Sequence, residues 1–181
     1  ADRNGHTIRK IVVATQAVTT VAGTAGSSGS TDGTGSAARF NQPAGLALDS
    51  TGTYLFVADF SNHLIRRITV ATGVVSTIAG TGIAGGTNGT GTAASFNVPA
   101  SLAMDPTDTY LYIGEWSGFR IRKMVLSTGV VTTLAGSGTS GDTNGTGTAA
   151  SFTSVGGLNI NPTGTILYFG DTGNNKVRQI Q

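Results

Sequence analysis

A single repeat runs through the whole chain and decides what it can fold into. The string TNGTGTAASF stands at Thr87–Phe96 and again at Thr143–Phe152, with a looser copy, TDGTGSAARF, at Thr31–Phe40. The periodicity extends around it. Asp59 in ADFSNHLIRRI matches Glu115 in GEWSGFRIRKM and Asp171 in GDTGNNKVRQI, each 56 residues on, and Asp2 in ADRNGHTIRKI, 57 residues before. The one-residue difference falls in the glycine-rich loop TAGSSGSTDG, where added length costs little. A period of this size marks units that each bury an apolar face against the next.

Four short β-like runs fill each period. In the middle copy they are Ser101–Asp105, Tyr110–Gly114, Arg120–Met124 and Val130–Ala135, called a, b, c and d. They are rich in β-branched and aromatic residues and are separated by turn signals such as PTDT and STG. No apolar spacing of three and four persists, so no helix is expected. The expected class is all-β, with β-propeller blades of four antiparallel strands.

The segments AxFNxPxGLALD, YLFVAD, NHLIRRI and VVSTIAGTG resemble the NHL repeat, in a long variant with a glycine-rich insertion before the AxF motif. The resemblance covers essentially the whole chain and implies propeller blades. It points to no one activity, because propellers host many. The copies depart from the pattern where Pro43 and Pro99 become Val155, and where the acidic position becomes Glu115, followed by Trp116, the one tryptophan.

The strand count is uneven. The chain opens on c and d (Ile8–Ile11, Val18–Ala22) and closes on a, b and c (Gly157–Asn161, Ile166–Gly170, Lys176–Ile180). As one array over 1–181, it divides into a partial blade (1–17), repeats over 18–73 and 74–129, and a repeat over 130–181 without its last strand. About three blades do not close a ring that needs four to eight, and open ends expose strand edges. The incomplete ring therefore calls for strand exchange between chains or for further repeats. The self-association residues are Val18, Thr19, Thr20, Val21 and Ala22 at one end, and Lys176, Val177 and Arg178 at the other. Two copies would make a six-bladed ring; a contact that does not close would make a filament.

Composition narrows the chemistry. Charged residues are 11% of the chain, net charge is +2, and there is no cysteine. Thiolate sites are excluded, and no apolar run approaches the roughly 20 residues of a membrane span. His6 and His63 occupy one repeat position a blade apart, which does not converge on an ion, and no serine sits in a nucleophile elbow. No catalytic residue, cofactor or metal site is expected. The short clusters Arg66–Arg67 and Arg120–Arg122–Lys123 lie on strands without interleaved stacking aromatics, which argues against nucleic acid.

The glycines of TNGTGTAASF permit tight turns and its phenylalanine anchors packing, so the string reads as a blade-connecting loop. A phosphate cradle would need a following helix and usually a lysine. Asn88-Gly89-Thr90 and Asn144-Gly145-Thr146 are N-glycosylation sequons, and a glycoprotein is expected if the chain takes a eukaryotic secretory route. The pairs Asp2/Arg9, Asp59/Arg66, Glu115/Arg122 and Asp171/Arg178, each seven apart, read as turn carboxylates pairing with strand arginines. Trp116 reads as a local packing substitution or, through its flat indole face and N–H donor, as a partner or sugar contact. The expected protein is a non-enzymatic, extracellular, self-assembling module. The alternative is a closed homodimeric propeller that binds protein, carbohydrate or, less readily, RNA.

Overall fold

The computed structural model describes all residues, Ala1–Gln181, and its regular structure is β-strands apart from five three-residue 3-10 turns. In chain order they are β1 (Ile8–Val12), β2 (Ala17–Ala22), β3 (Gly33–Thr34), β4 (Pro43–Leu48), β5 (Tyr54–Asp59), β6 (Leu64–Thr69), β7 (Val74–Ala79), β8 (Gly89–Thr90), β9 (Pro99–Met104), β10 (Tyr110–Glu115), β11 (Ile121–Val125), β12 (Val130–Ala135), β13 (Val155–Ile160), β14 (Leu167–Asp171) and β15 (Lys176–Ile180).

They form four antiparallel sheets. Two complete blades have the orders β3-β7-β6-β5-β4 and β8-β12-β11-β10-β9, flanked by the pair β1-β2 and the three-stranded β13-β14-β15. Strands β4, β9 and β13 pack side by side, so the first long strand of each blade lines the inside of the arc. The sheets cut the chain at a different phase from the repeat: residues 18–73 supply the d strand of one sheet and a to c of the next.

Two features were not expected. Each complete blade has a short fifth strand, β3 or β8, lying inside the repeated string. The string enters at the outer edge, pairs with the d strand of its own blade, makes a three-residue 3-10 turn, and drops Phe40, Phe96 or Phe152 into the core. In the last blade, where no d strand is present, Gly145–Thr146 is not a strand. The second feature is a bulge at the same place in three sheets, between Ile8 and Arg9, Ile65 and Arg66, and Ile121 and Arg122. A bulge re-aims the side chain beside it, and that side chain is the repeat arginine.

The core lies between blades. One cluster, with Phe56, Phe96, Leu111 and Ile113, joins the two complete blades; a second, around Phe152 and Phe169, joins the last; a third seats Ile8 and Ala22 of the first hairpin on Phe40 and Val57. The a–b turns are braced in register by Asp49 and Asn161, whose side-chain oxygens accept from the Tyr54 and Ile166 N–H groups at 2.8 and 3.0 Å.

Candidate functional site

In three of the four copies the acidic and cationic repeat positions meet, as their spacing implied, and lie in the interior, whereas the first pair, Asp2 and Arg9, stays at the surface. Arg66 and Arg122 are 0% exposed, as are Asp59, Glu115 and Asp171. The N···O separations are 2.9 Å for Arg66–Asp59, 3.3 Å for Arg122–Glu115 and 2.9 Å for Arg178–Asp171. Each guanidinium is also held by the string of its own blade. Arg122 donates to the carbonyls of Ser95 (2.9 Å) and Thr87 (3.0 Å) and to Asn88 Oδ1 (2.9 Å). Arg178 makes the matching set with Ser151, Thr143 and Asn144, and Arg66 with Arg39, Thr31 and Asp32. The phenylalanine ending the string lies under the guanidinium, 5.6 Å away at Phe96. The string is thus an arginine cradle, and buried charge is tolerated because donors and acceptors surround it.

This answers what the sequon asparagines do in the fold. Asn88 and Asn144 spend their Oδ1 on an arginine, and Asn88 also receives the Thr133 hydroxyl at 3.3 Å. Asp32 does the same work in the first copy, taking Arg66 at 2.7 Å and the Thr77 hydroxyl at 3.0 Å. The exchange of Asp for Asn between copies was the sequence signal for an acceptor role, since both offer the same oxygen.

The three residues Asn62-His63-Leu64 each have a distinct task. Asn62 Nδ2 bridges Asp59 Oδ2 (2.8 Å) and the Gly29 carbonyl (2.6 Å). Leu64 is buried. His63, in left-handed backbone with φ 56°, accepts the Val98 N–H of the next blade through Nδ1 at 3.1 Å. His6 accepts Gln42 N–H in the same way, also at 3.1 Å. Burial lowers the His63 pKa and so favours the neutral ring that this acceptor role needs. The histidines are inter-blade latches. The third seam has Phe119 at this position.

The middle blade departs as a set. Gly118 replaces the clamping asparagine, and a Cβ there would collide with Glu115 Oε2. The longer Glu115 occupies that space, but both of its donors, the Asn97 N–H at 3.1 Å and Arg122 at 3.3 Å, reach Oε1, and its Oε2 is buried without a partner. Burial raises the Glu115 pKa to about 7 against the pull of Arg122. Burial also raises Asp59, where Asn62, the Asn41 N–H and Arg66 all oppose it. A carboxyl whose folded pKa is raised gives its full stabilisation below the unfolded value near 4.5 and loses it as pH rises through about 7. The double variant Glu115→Asp/Gly118→Asn rebuilds the arrangement of the flanking blades. Its stability advantage over wild type should widen from pH 5 to pH 8 in urea titrations. A gap that stays constant with pH would reject the assignment.

The two chain-end edges stay open. Val177 is 81% exposed, whereas Ile65 and Ile121, its equivalents in complete blades, are 0% exposed. Val18 is 49% exposed against 2% for Val75 and 0% for Val131. A groove of about 480 Å³ runs beside β15 between Val177–Gln181 and the string Asn144–Gly147, floored by Phe152 and Phe169. It occupies the place that the d strand fills in complete blades. Lys176 is exposed and pairs with Asp142. Trp116 lies elsewhere, on the rim of a cleft of about 380 Å³ on the b–c turn face, with Phe60 and with Arg3, whose guanidinium stacks on the Phe60 ring at 4.0 Å. Among all residues no group of His, Asp or Glu is placed to hold a metal ion, and no helix is long and apolar enough to cross a membrane.

No family model matches the chain. Single relatives do. NHL repeat-containing protein 2 of Homo sapiens and of Bos taurus are each 31% identical over 151 residues, 78% of this chain and 21% of theirs. An auxiliary nutrient-binding protein of Bacteroides thetaiotaomicron superposes with a TM-score of 0.79 at 21% identity, over 99% of this chain and 43% of that one. Virginiamycin B lyase of Staphylococcus aureus gives a TM-score of 0.56 at 13% identity, over 99% and 50%. The chain therefore spans about a fifth of the curated relatives it matches and under half of the nutrient-binding neighbour. Taken with the Asn-His-Leu clamp and the repeated cradle, these likenesses place the chain in the NHL-repeat family of β-propeller proteins.

Proposed function

We propose that this chain is a non-enzymatic structural module that completes its propeller by exchanging strands with a second copy. The observation that carries this is the match between an empty seat and a strand that fits it. β7 (VVSTIA) and β12 (VVTTLA) fill the two complete seats, and β2 (AVTTVA) has the same pattern with Val18 exposed at the position their valines bury. Main-chain hydrogen bonds would give affinity, and Val18, Thr20 and Ala22 would set the register. The nutrient-binding neighbour, with this chain aligning to 43% of it, has the size expected of a ring closed by about two such arrays.

Light scattering tests it. The wild type should sediment and scatter above the 18.2 kDa monomer, as a doubled mass or a polymer. Deleting Ala1–Gly23 should return it to monomer. Val18→Asp, which changes a solvent-exposed residue and leaves the core intact, should do the same by placing a charge in the groove. Unchanged particle size in both variants sinks the reading.

A second reading rests on the cleft between Arg3, Phe60 and Trp116, a flat aromatic rim over small residues at Ala44, Gly45 and Gly157. There the propeller would present a ligand face. Trp116, as the one tryptophan, reports occupancy of that face directly by fluorescence; an emission spectrum unmoved by a panel of saccharides and peptides would count against it.

A further inference from the structure

The two ends of the chain both carry a c strand, β1 and β15, and a blade shared between them has room for one. We infer that β15 yields: Lys176–Ile180 occupies within its own chain the seat that β1 of a second copy takes, so the C-terminal strand is a displaceable plug. This rests on the strand-exchange reading above and adds which strand must move.

The two candidates are held very differently. β1 is tied to β2, and the hairpin is sunk into the first blade: Ile8 and Ala22 are buried against Phe40 and Val57, and His6 latches Gln42. Removing β1 would tear that cluster open. β15 pairs on one side only, with β14, and its Val177 and Gln179 face solvent. Its main anchor is Arg178 in the last cradle, helped by the exposed Lys176–Asp142 pair and by Ile180, which packs half-buried on the last core cluster. That anchor is replaceable, because β1 brings its own arginine. Arg9 is half-exposed in its own chain, with only Asp2 near it, at 3.8 Å. Seated on β14 of another copy, Arg9 would meet the Ser151 and Thr143 carbonyls, Asn144 and Asp171, the set Arg178 now holds.

The apolar balance points the same way. Ile11 is 63% exposed, while its equivalents Ile68 and Met124 are 0% and 3% exposed. If β1 takes the β15 seat, β2 enters the groove beside it, and both Ile11 and Val18 become covered. If β1 left instead, Ile11 would gain no sheet neighbour and Ile8 would lose its burial. The exchange is an open domain swap, in which one copy's first hairpin replaces another's last strand.

The chain has no cysteine, so paired cysteines report the register cleanly. Tyr168 faces Gln179 across β14 and β15, and Lys10 is the Gln179 equivalent on β1. The variant Lys10→Cys/Tyr168→Cys can close a disulfide between chains only if β1 sits on β14. The variant Thr19→Cys/Gln179→Cys can do so only if β15 stays and β2 pairs with it. All four positions are exposed, so folding is not at stake. On mild oxidation followed by non-reducing electrophoresis, the first variant should give at least tenfold more covalent dimer or ladder than the second. The reverse ratio overturns the plug while leaving strand exchange standing. Covalent product from neither overturns both.

Discussion

An Arg122→Ala variant should lose about 3–5 kcal/mol of stability, the cost of leaving a buried carboxylate without its partner. On a chain of this size that is a fall in Tm of roughly 6–20 °C. The loss has two parts. Glu115 stays at 0% exposure with its Oε2 already unpartnered. The Ser95 and Thr87 carbonyls also lose the guanidinium, and Asn88 Oδ1 is left with the Thr133 hydroxyl alone. The double variant Glu115→Leu/Arg122→Met separates them. It removes the stranded charge, and replacing a buried pair by apolar groups is often neutral, so its remaining loss measures the string's need for the guanidinium. A penalty under about 1 kcal/mol for Arg122→Ala, in the range of exposed pairs, would mean the cradle is open to water.

Phe96→Ala should cost a similar amount, about 3–5 kcal/mol, through the cavity it leaves between two blades. Phe96 is 0% exposed, is surrounded by Phe56, Leu111 and Ile113, and lies beneath Arg122. Position in the array matters more than chemistry here. Phe152 ends an identical string but borders the open groove next to β15. Water and neighbouring side chains can relax into the space it leaves, so Phe152→Ala should cost measurably less. Urea denaturation of the two variants gives the ranking directly. Equal losses would show that the last blade is as closed as the middle one.

The exact repetition and the alternating runs made the blades legible, and Asp-to-Arg spacing of seven made the pairs legible. What hid the cradle is that half of its acceptors are main-chain carbonyls, at Thr87 and Ser95, which leave no mark in a residue string. The outer strands Gly33–Thr34 and Gly89–Thr90 were hidden for a related reason. Two residues cannot alternate, and glycine argues against a strand unless a partner supplies the edge. The latches at His6 and His63 looked like failed metal ligands because an acceptor for a backbone N–H needs no second side chain. The correlated change at Glu115 and Gly118 could have been read: one position gained a methylene as the other lost an amide.

The cradle also fixes how far along the chain a blade must search to complete itself. Arginine-to-string bonds span 27, 34 or 35 residues in every copy. Folding rate falls as contacting residues lie farther apart in sequence, and here that separation does not grow with the number of blades. Each blade can finish its own closure as an independent kinetic unit, in the manner of a linear repeat. Under the strand exchange proposed above, only the joining of the first hairpin to a last sheet would be a long-range event, and its rate would be set by concentration rather than by chain length.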